Sequence, residues 1–496
     1  MPSLTINVHR RCIHGVGSVV SARLPHILVD PLPKFTVVPC AAERPLDRAQ
    51  IAAWKPFDLN GETLPAMQRA RRRMEDTGQW ADWQLQGRRM AIGCVALEIT
   101  QRCNLDCTYC YLSESSQALK DIPLEEVFRR IDLIHAHYGA NTDVQVTGGE
   151  PTLRRRDELI AIVARIKSRG MRSSLFTNGI KASRELLVDL CAAGLEDVAF
   201  HVDLTQGRKG YASEAALNEL RLDCMARARG LPLSVLFNTT VHPGNFHEVP
   251  ALVAFFAQHA DVVRLASFQV GADTGRGPAR ERVAVDTGRV IEAIRQGASA
   301  ALNFDAAGTG HASCNRYASA LVVGGRVHDL HGHAALVARI IRASAHLVLP
   351  RARAAQSRQR IAWFLATHPR IAAEVALRFA AFAWRQRRDL LRARGRIHKL
   401  SFFVHNFMDA AALDTERCAA CSFMVMTPAG PLSMCVHNAK RDDYLLVPAR
   451  VTREHALLFF NPATGALGPQ APQSIRPVLD RKNRRGRGRI ENRATV

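Results

Sequence analysis

The stretch Cys103–Cys110 reads Cys-Asn-Leu-Asp-Cys-Thr-Tyr-Cys and spaces three thiols by three and then two residues. A short loop of this kind can wrap Cys103, Cys107 and Cys110 around one face of a cubane iron–sulfur cluster. Electron-carrying [4Fe-4S] clusters take four cysteines, so a group of three leaves one iron open to a reacting molecule. The alternative is a structural zinc knot, although zinc sites generally use two Cys-x-x-Cys pairs or mixed Cys and His sets.

The sequence around these cysteines indicates a second half of the same site. The apolar run Val95–Thr100 predicts a buried strand that ends at the cysteine loop, and the strand Asp143–Thr147 runs directly into Gly148-Gly149-Glu150-Pro151. Glycines let a backbone approach a ligand closely, and a carboxylate can pair with an ammonium group. By itself Gly-Gly-Glu-Pro would be a turn. Its place at a strand end after the cysteines favours one site that the cysteine loop and this motif form together.

The cysteine loop together with Gly148, Gly149 and Glu150 resembles the radical S-adenosylmethionine (SAM) enzymes. The resemblance implies a [4Fe-4S] cluster whose open iron chelates the methionine end of SAM, with Glu150 facing the methionine ammonium. It further implies one-electron cleavage of SAM to a 5'-deoxyadenosyl radical that takes hydrogen from an unactivated carbon. A reductant such as flavodoxin or ferredoxin is the implied partner.

Strand and helix patterns alternate from Gly93 to Ala272 and predict an α/β fold, a partial (β/α)6 barrel with an irregular leader and a helical, cysteine-containing C-terminal region. The predicted strands are Val95–Thr100, Asp143–Thr147, Ser173–Thr177, Asp197–Asp203, Leu233–Thr240 and Val262–Gln269, and the helices are Pro123–His137, Arg155–Ser168, Ser183–Ala193, Ser213–Arg229 and Phe246–His259. Ligands of such sheets bind at the carboxyl ends of the strands.

Polar residues at the later strand ends are therefore candidate SAM ligands: Thr177, Asn178, Asp203 and Asn238. By resemblance to radical SAM enzymes, Asp203 would accept hydrogen bonds from the ribose hydroxyls. A turn at Thr177–Gly179 and a helix-capping role for Asp203 are the alternatives.

Composition limits the protein class. The chain has 496 residues, 47% apolar content, a net charge of +22 and twelve cysteines. The absence of a signal peptide and of an apolar run of about 20 residues predicts a cytoplasmic, folded protein that does not span a membrane. The positive charge suits nucleic acid, an anionic membrane or a soluble basic protein.

Over half of that charge lies in one segment. Arg339–Lys399 holds fifteen Lys and Arg against two acids, a surplus of 13 of the 22 net charges, interleaved with aromatic and aliphatic residues such as Trp363, Phe379 and Trp384. This pattern predicts either a basic amphipathic helical region in peripheral contact with anionic lipid at the inner face of the membrane, or a solvated helical pair packed on the barrel. No specific nucleic-acid module is found.

The C-terminal region adds a second group of thiols. Cys418, Cys421 and Cys435, with Cys314 as a fourth, suit an auxiliary [4Fe-4S] cluster or a closed zinc site. The run His405–Asp409 with Cys421, a Thr-Pro-x-Gly turn and Cys435 resembles the tetraether lipid synthase group, some members of which are labelled pterin methyltransferases. An N-terminal Cys-x-x-Cys site of that group is missing here, and Cys418 is additional. The resemblance implies a lipid alkyl chain as substrate, and His405 and Asp409 are candidate catalytic residues.

The expected organisation follows these motifs. It comprises a leader at 1–90 with a helix over Glu62–Trp83, the barrel at 91–272, an irregular connector at 273–335, the basic helical region at 336–400, the auxiliary metal region at 401–450, and a C-terminal extension at 451–496 with a basic disordered tail. The alternative functions are peptide modification by the same radical chemistry, and methyl transfer to a pterin or RNA. An electron carrier is disfavoured by the open iron position.

Overall fold

The computed structural model describes residues 45–59, 61–274, 285–350 and 353–479. The predictions for the first 44 residues and for the basic tail after Arg481 lie outside this range. No helix within it is both long and apolar enough to cross a bilayer.

Two sheets contain the described strands. These are β1 Cys94–Thr100, β2 Asp143–Gly148, β3 Arg172–Thr177, β4 Leu195–His201, β5 Ser234–Val241, β6 Val263–Val270, β7 Asn315–Val323, β8 Arg326–Asp329, β9 His398–Asn406, β10 Phe423–Thr427, β11 Gly430–Ser433, β12 Ala449–Arg453, β13 Ala456–Phe460 and β14 Leu467–Gly468. The main sheet has the order β11-β10-β1-β2-β3-β4-β5-β6-β9-β7-β8, and the small one is β12-β13-β14.

Helices connect and cover these strands. They are α1 Arg48–Ala53, α2 Ala66–Asp76, α3 Leu124–Tyr138, α4 Arg156–Ser168, α5 Arg184–Ala193, α6 Asn218–Ala228, α7 Val249–Gln258, α8 Thr287–Ala298, α9 Ala334–Ala343, α10 Ala354–Thr367, α11 Pro369–Arg385, α12 Arg387–Arg392, α13 Thr415–Ala419, α14 Met434–Ala439 and α15 Asp442–Leu445. The predicted helix Glu62–Trp83 is wrong in extent, because α2 ends at Asp76 and Gly78 follows at φ +67°.

The predicted parallel βα fold is confirmed. Strands β1 to β6 pair side by side and in parallel, within one to two residues of the expected bounds. Two strands that the pattern did not predict extend this sheet, since β10 pairs in parallel with β1, and β9 with β6. The described sheet therefore has eight parallel strands in its centre, and the C-terminal region supplies two of them.

Alternation along the strands separates a core face from an inner face. In β2, Val144 and Val146 are buried in the core that the helices cover, whereas Gln145 and Thr147 are half-buried. In β9, Phe402 and Val404 belong to the same core. Because successive side chains of a strand point to opposite faces, the residues between them face the inside of the curved sheet.

Candidate functional site

The cysteine loop leaves the carboxyl end of β1, as predicted. Cys103, Cys107 and Cys110 are half-buried, and none forms a disulfide. The loop is fixed by backbone contacts: the Cys103 amide donates to the Gln117 side chain at 3.0 Å, and the Thr108 amide donates to the Thr205 carbonyl at 2.9 Å. Three thiols on one anchored loop match the donor set of an iron–sulfur cluster with one open iron.

Gly148 and Gly149 lie directly against the start of this loop. The Gly149 amide donates to the Thr100 carbonyl at 2.9 Å, and the Glu150 amide donates to the Arg102 carbonyl at 2.8 Å. A Cβ atom on either glycine would clash with those same carbonyls, and Gly148 has φ +125°. The glycines are thus required by the close approach of two backbones, which joins the two motifs at one edge of the sheet.

Glu150 links that edge to β3. Its carboxylate is 1% exposed, accepts from the Thr177 hydroxyl at 2.6 Å and from the Asn178 amide at 2.7 Å, and also caps Thr152. The Asn178 side chain donates to the side chain of Asn104 in the cysteine loop at 2.7 Å. The structure therefore brings Glu150, Thr177 and Asn178 together beside the cysteines.

Asp203 has a structural environment that matches the capping alternative. Its side chain has no exposed surface, and its carboxylate accepts from Thr205, from the Thr240 amide at 2.7 Å and from the His201 ring at 2.6 Å. Burial opposes ionisation, but these partners hold the pKa of Asp203 well below its usual range. Burial likewise opposes charge on His201, yet Asp203 raises its pKa. His201, with a side chain 37% exposed, is the member of the pair that faces open space.

Asn238 lies beside His201 on the inner face of the sheet. It pairs with His201 in the β4–β5 register and with Ser267 in the β5–β6 register. Its side chain is half-buried, and within the described ranges it makes no hydrogen bond. An amide in this setting can bind a polar group of a ligand.

Two features next to the cysteines were not predicted. Arg208 donates to the Asn178 carbonyl and to the Gln206 side chain. Burial lowers the pKa of Arg208, and the nearby charges of Cys107 and Glu150 act in the opposite direction. Tyr109 stacks on His242 with ring centres 5.1 Å apart. Neither pairing has a local sequence signal, since each partner comes from a different strand end.

A buried ion pair also reaches the site from the C-terminal region. The Arg441 guanidinium donates to both oxygens of Glu98 on β1 at 2.7 and 2.8 Å, and it lies 4.5 Å from the ring centre of Tyr111. The Tyr111 hydroxyl donates to the Gly148 carbonyl at 2.9 Å. Arg441 is thereby connected to both motifs, through the residue that follows Cys110.

The C-terminal thiols come from separate elements but influence one another. Burial raises the pKa of Cys314 to about 11 and of Cys418 to about 12, and the charge of Cys421 adds to both effects. The pKa of Cys435 is raised well above its usual value, first by burial and then by the other three thiols. The Arg417 guanidinium donates to the Cys314 sulfur at 3.3 Å. Cys418 and Cys435 are buried, and Cys314 and Cys421 are half-buried. A set of four such thiols with a cation beside it matches the donor chemistry of an auxiliary centre.

Neither cysteine group is arranged as a finished metal site. Throughout the described ranges, no three His, Cys, Asp or Glu side chains stand ready to hold one metal ion. The raised pKa values of Cys314, Cys418 and Cys435 mean that metal binding by these thiols releases protons.

His405 and Asp409 have different environments at the end of β9. The His405 ring lies 4.0 Å from Phe403, 4.3 Å from Phe423 and 5.6 Å from Phe407, measured between ring centres, and burial lowers its pKa to about 3. Asp409 accepts from the Asp273 amide at 2.6 Å and so ties β9 to the segment after β6.

We call Phe403, His405, Phe407 and Phe423 the aromatic wall. All four are half-buried and uncharged at neutral pH.

Part of the chain is similar to known proteins. Residues 97–256 match the model of the radical SAM superfamily. The chain is 30% identical over 213 residues to PqqA peptide cyclase of Xanthomonas euvesicatoria pv. vesicatoria, covering 41% of this chain and 56% of that protein. It is 34% identical over 211 residues to GTP 3',8-cyclase of Streptomyces coelicolor, covering 40% and 59%. The chain thus spans somewhat over half the length of these relatives. Among solved structures, SuiB of Streptococcus suis bound to S-adenosylmethionine matches with a TM-score of 0.33 and 14% identity, covering 49% of this chain and 54% of that one.

Proposed function

We propose, on the premise that residues 97–256 match the model of the radical SAM superfamily, that the chain is an enzyme that cleaves SAM to take hydrogen from an unactivated carbon. The observation that carries the proposal is the junction of the cysteine loop with Gly148–Glu150 through paired backbone hydrogen bonds. When bound, the cluster and SAM supply a 5'-deoxyadenosyl radical after transfer of one electron from a reductant such as flavodoxin or ferredoxin.

The residues of the chain would bind and orient SAM at this edge. Cys103, Cys107 and Cys110 would hold the cluster. Glu150, whose carboxylate accepts from Thr152, Thr177 and the Asn178 amide, would exchange one of these partners to face the methionine ammonium. Arg208 supplies a positive charge close to Cys107 and Glu150, which suits the methionine carboxylate. His201 and Asn238, rather than the enclosed Asp203, offer polar groups toward the ribose.

We propose an alkyl chain of a lipid as the substrate. The aromatic wall supports this assignment, because it faces the inside of the sheet, carries no charge and includes a histidine that burial keeps neutral. Such a surface favours a hydrocarbon over a charged substrate. The alternative is a peptide, which the names of PqqA peptide cyclase and of SuiB bound to its precursor peptide suggest by similarity.

Cys314, Cys418, Cys421 and Cys435 would hold an auxiliary [4Fe-4S] cluster. Arg417, which donates to the Cys314 sulfur, would offset part of the negative charge of four thiolates. A contact with anionic membrane involves a different part of the chain, the helices α10 to α12.

The radical chemistry is tested with anaerobically reconstituted protein. Reduction should release 5'-deoxyadenosine, and replacement of Cys103, Cys107 and Cys110 by Ala should abolish that release together with the cluster absorbance. Cys191→Ala, a half-buried thiol on α5, is the matched control. Release that persists in the triple variant would contradict the proposal.

The substrate class is tested in cells with and without the protein. Mass spectrometry of total lipids should show a product that is lost in the triple cysteine variant. An unchanged lipid profile together with a changed peptide would replace the lipid by the peptide substrate. Release of S-adenosylhomocysteine with a methylated pterin or RNA would indicate methyl transfer instead.

A further inference from the structure

Helices α10, α11 and α12 are unusually exposed. Among the side chains described in these three helices, Phe364 alone is buried, and α11 and α12 bury none. In α11, Phe382 contacts the edge strand β8 through His328, with ring centres 5.3 Å apart. One side of α11 therefore faces the sheet, and the opposite side has no partner in the described chain.

That opposite side of α11 is apolar. The exposed residues recur every three to four positions, which places them on one face of the helix. The exposed residues of α11 on this side include Ala373, Leu377, Ala380, Ala381 and Trp384. Leu377 is 72% exposed and Trp384 is 69% exposed, and Trp363 of α10 adds a second indole that is 72% exposed. Apolar stripes on helices of soluble folds normally face the core, so this one requires a different partner.

The charge around the stripe is positive and is not neutralised by the residues that the structure describes. The three helices carry eight arginines and two acids. Both acids are already used: Glu374 pairs with Arg339 and Arg378, and Asp389 pairs with Arg326 and Arg392.

Several arginines on the same helices remain available for a partner. Arg370 and Arg388 are exposed and have no acidic partner within the described residues. A partner of this surface must therefore offer negative charge next to an apolar layer.

We propose that α10 to α12 bind reversibly to the surface of an anionic phospholipid membrane. Exposed Trp and Leu side chains enter the boundary between headgroups and acyl chains, and the arginines contact the phosphates. An anionic membrane offers an apolar layer directly beneath its charge and RNA does not, which favours a lipid surface over RNA.

The membrane surface and the proposed SAM site lie at opposite edges of the sheet. After Arg392, the last residue of α12, a five-residue link leads to His398, which begins β9 at the amino edge of the parallel strands. The cysteine loop instead follows a carboxyl end. Membrane binding is therefore independent of SAM cleavage, and either can fail without the other.

Flotation of the full-length protein with vesicles tests the proposal. The protein should float with phosphatidylcholine vesicles that contain phosphatidylglycerol, should not float with phosphatidylcholine alone, and should be released at about 1 M salt, where the Debye length is about 3 Å. Each lost arginine should lower the partition coefficient about fivefold, which corresponds to about 1 kcal/mol. Arg370→Gln/Arg388→Gln should therefore lower it about 25-fold, whereas Arg72→Gln on the exposed side of α2 should change it little.

The apolar stripe is tested separately with Leu377→Ala/Trp384→Ala. This variant should bind vesicles at least tenfold more weakly and keep its circular dichroism spectrum, while Leu222→Ala, an exposed leucine of α6, should bind like the parent protein. Binding that does not depend on anionic lipid would overturn the proposal. So would a stripe variant that abolishes dimer formation or RNA binding but leaves vesicle binding intact.

Discussion

Replacing Arg441 by Met should destabilise the protein by about 3 to 5 kcal/mol, because it leaves the Glu98 carboxylate buried without its cation. Arg441 has no exposed surface and Glu98 is 5% exposed. Burial raises the pKa of Glu98, but Arg441, His437 and the hydrogen bonds from Gln101 and Arg441 outweigh it and lower the pKa from 4.5 to about 2. At 1.36 kcal/mol per pKa unit, this lowering corresponds to about 3 kcal/mol, in agreement with the first figure.

The pH dependence of this ion pair has a definite sign. The pKa of Glu98 is depressed in the folded state, so its contribution is fully present above pH 4.5 and is lost as the pH falls toward 2. Urea unfolding of the parent protein and of Arg441→Met should therefore differ by several kcal/mol near pH 7, and by less near pH 3.

Two controls separate this effect from a general loss of packing. Arg156→Met removes the exposed pair with Asp189 and should cost at most about 1 kcal/mol. The double variant Glu98→Gln/Arg441→Met should be less destabilised than the sum of the single variants, because no buried charge remains unpaired. Additive losses, or a loss for Arg441→Met no larger than that for Arg156→Met, would refute the reasoning.

Arg441→Met should also retain less iron, since Arg441 contacts Tyr111 next to Cys110.

Three further results are expected. In the triple Cys103, Cys107 and Cys110 variant, iron analysis should find about four residual irons per chain, and the further change Cys418→Ala/Cys435→Ala should remove them. Stoichiometric zinc would show that the centre is structural, and the absence of any metal would show that these thiols only pack in the core. His201→Gln should reduce the urea midpoint more near pH 5.5 than near pH 9. The pKa of His201 is raised in the folded state, so its contribution to stability is lost as the pH rises through that pKa. An equal loss at both pH values would contradict an ion pair between His201 and Asp203. His405→Gln should leave the shape of the curve of activity against pH unchanged between pH 5 and 8, because burial lowers the pKa of His405 to about 3. If the variant lost a titration step in that range, His405 would have to ionise there.

The sequence predicted the central fold well because each βα unit carries its own local signal. Buried apolar runs, helical periodicity and turn residues placed six strands within one to two residues of their bounds. It also brought Glu150 near Thr177 and Asn178, because strand ends of a parallel sheet share one edge. The sequence did not decide the role of Asp203, since the same carboxylate can cap a turn or bind a ligand. The structure shows that Thr240 and His201 already form hydrogen bonds with its oxygens.

Strands β9 and β10 were not predicted because nothing in their local sequence says which strand they pair with. Their pairing with β6 and β1 makes the C-terminal region part of the central sheet rather than an appended metal domain. All described residues accordingly fall in one compact unit. The aromatic wall depends on this arrangement, since Phe403 and His405 come from β9 and Phe423 from β10. The C-terminal thiols, the proposed substrate surface and the cysteine loop are thus held by one continuous sheet. A truncation before β9 would remove the outer strand on each side of its parallel part, β9 and β10, and would expose β1 and β6. The remaining βα units would therefore not form an independent SAM-binding domain.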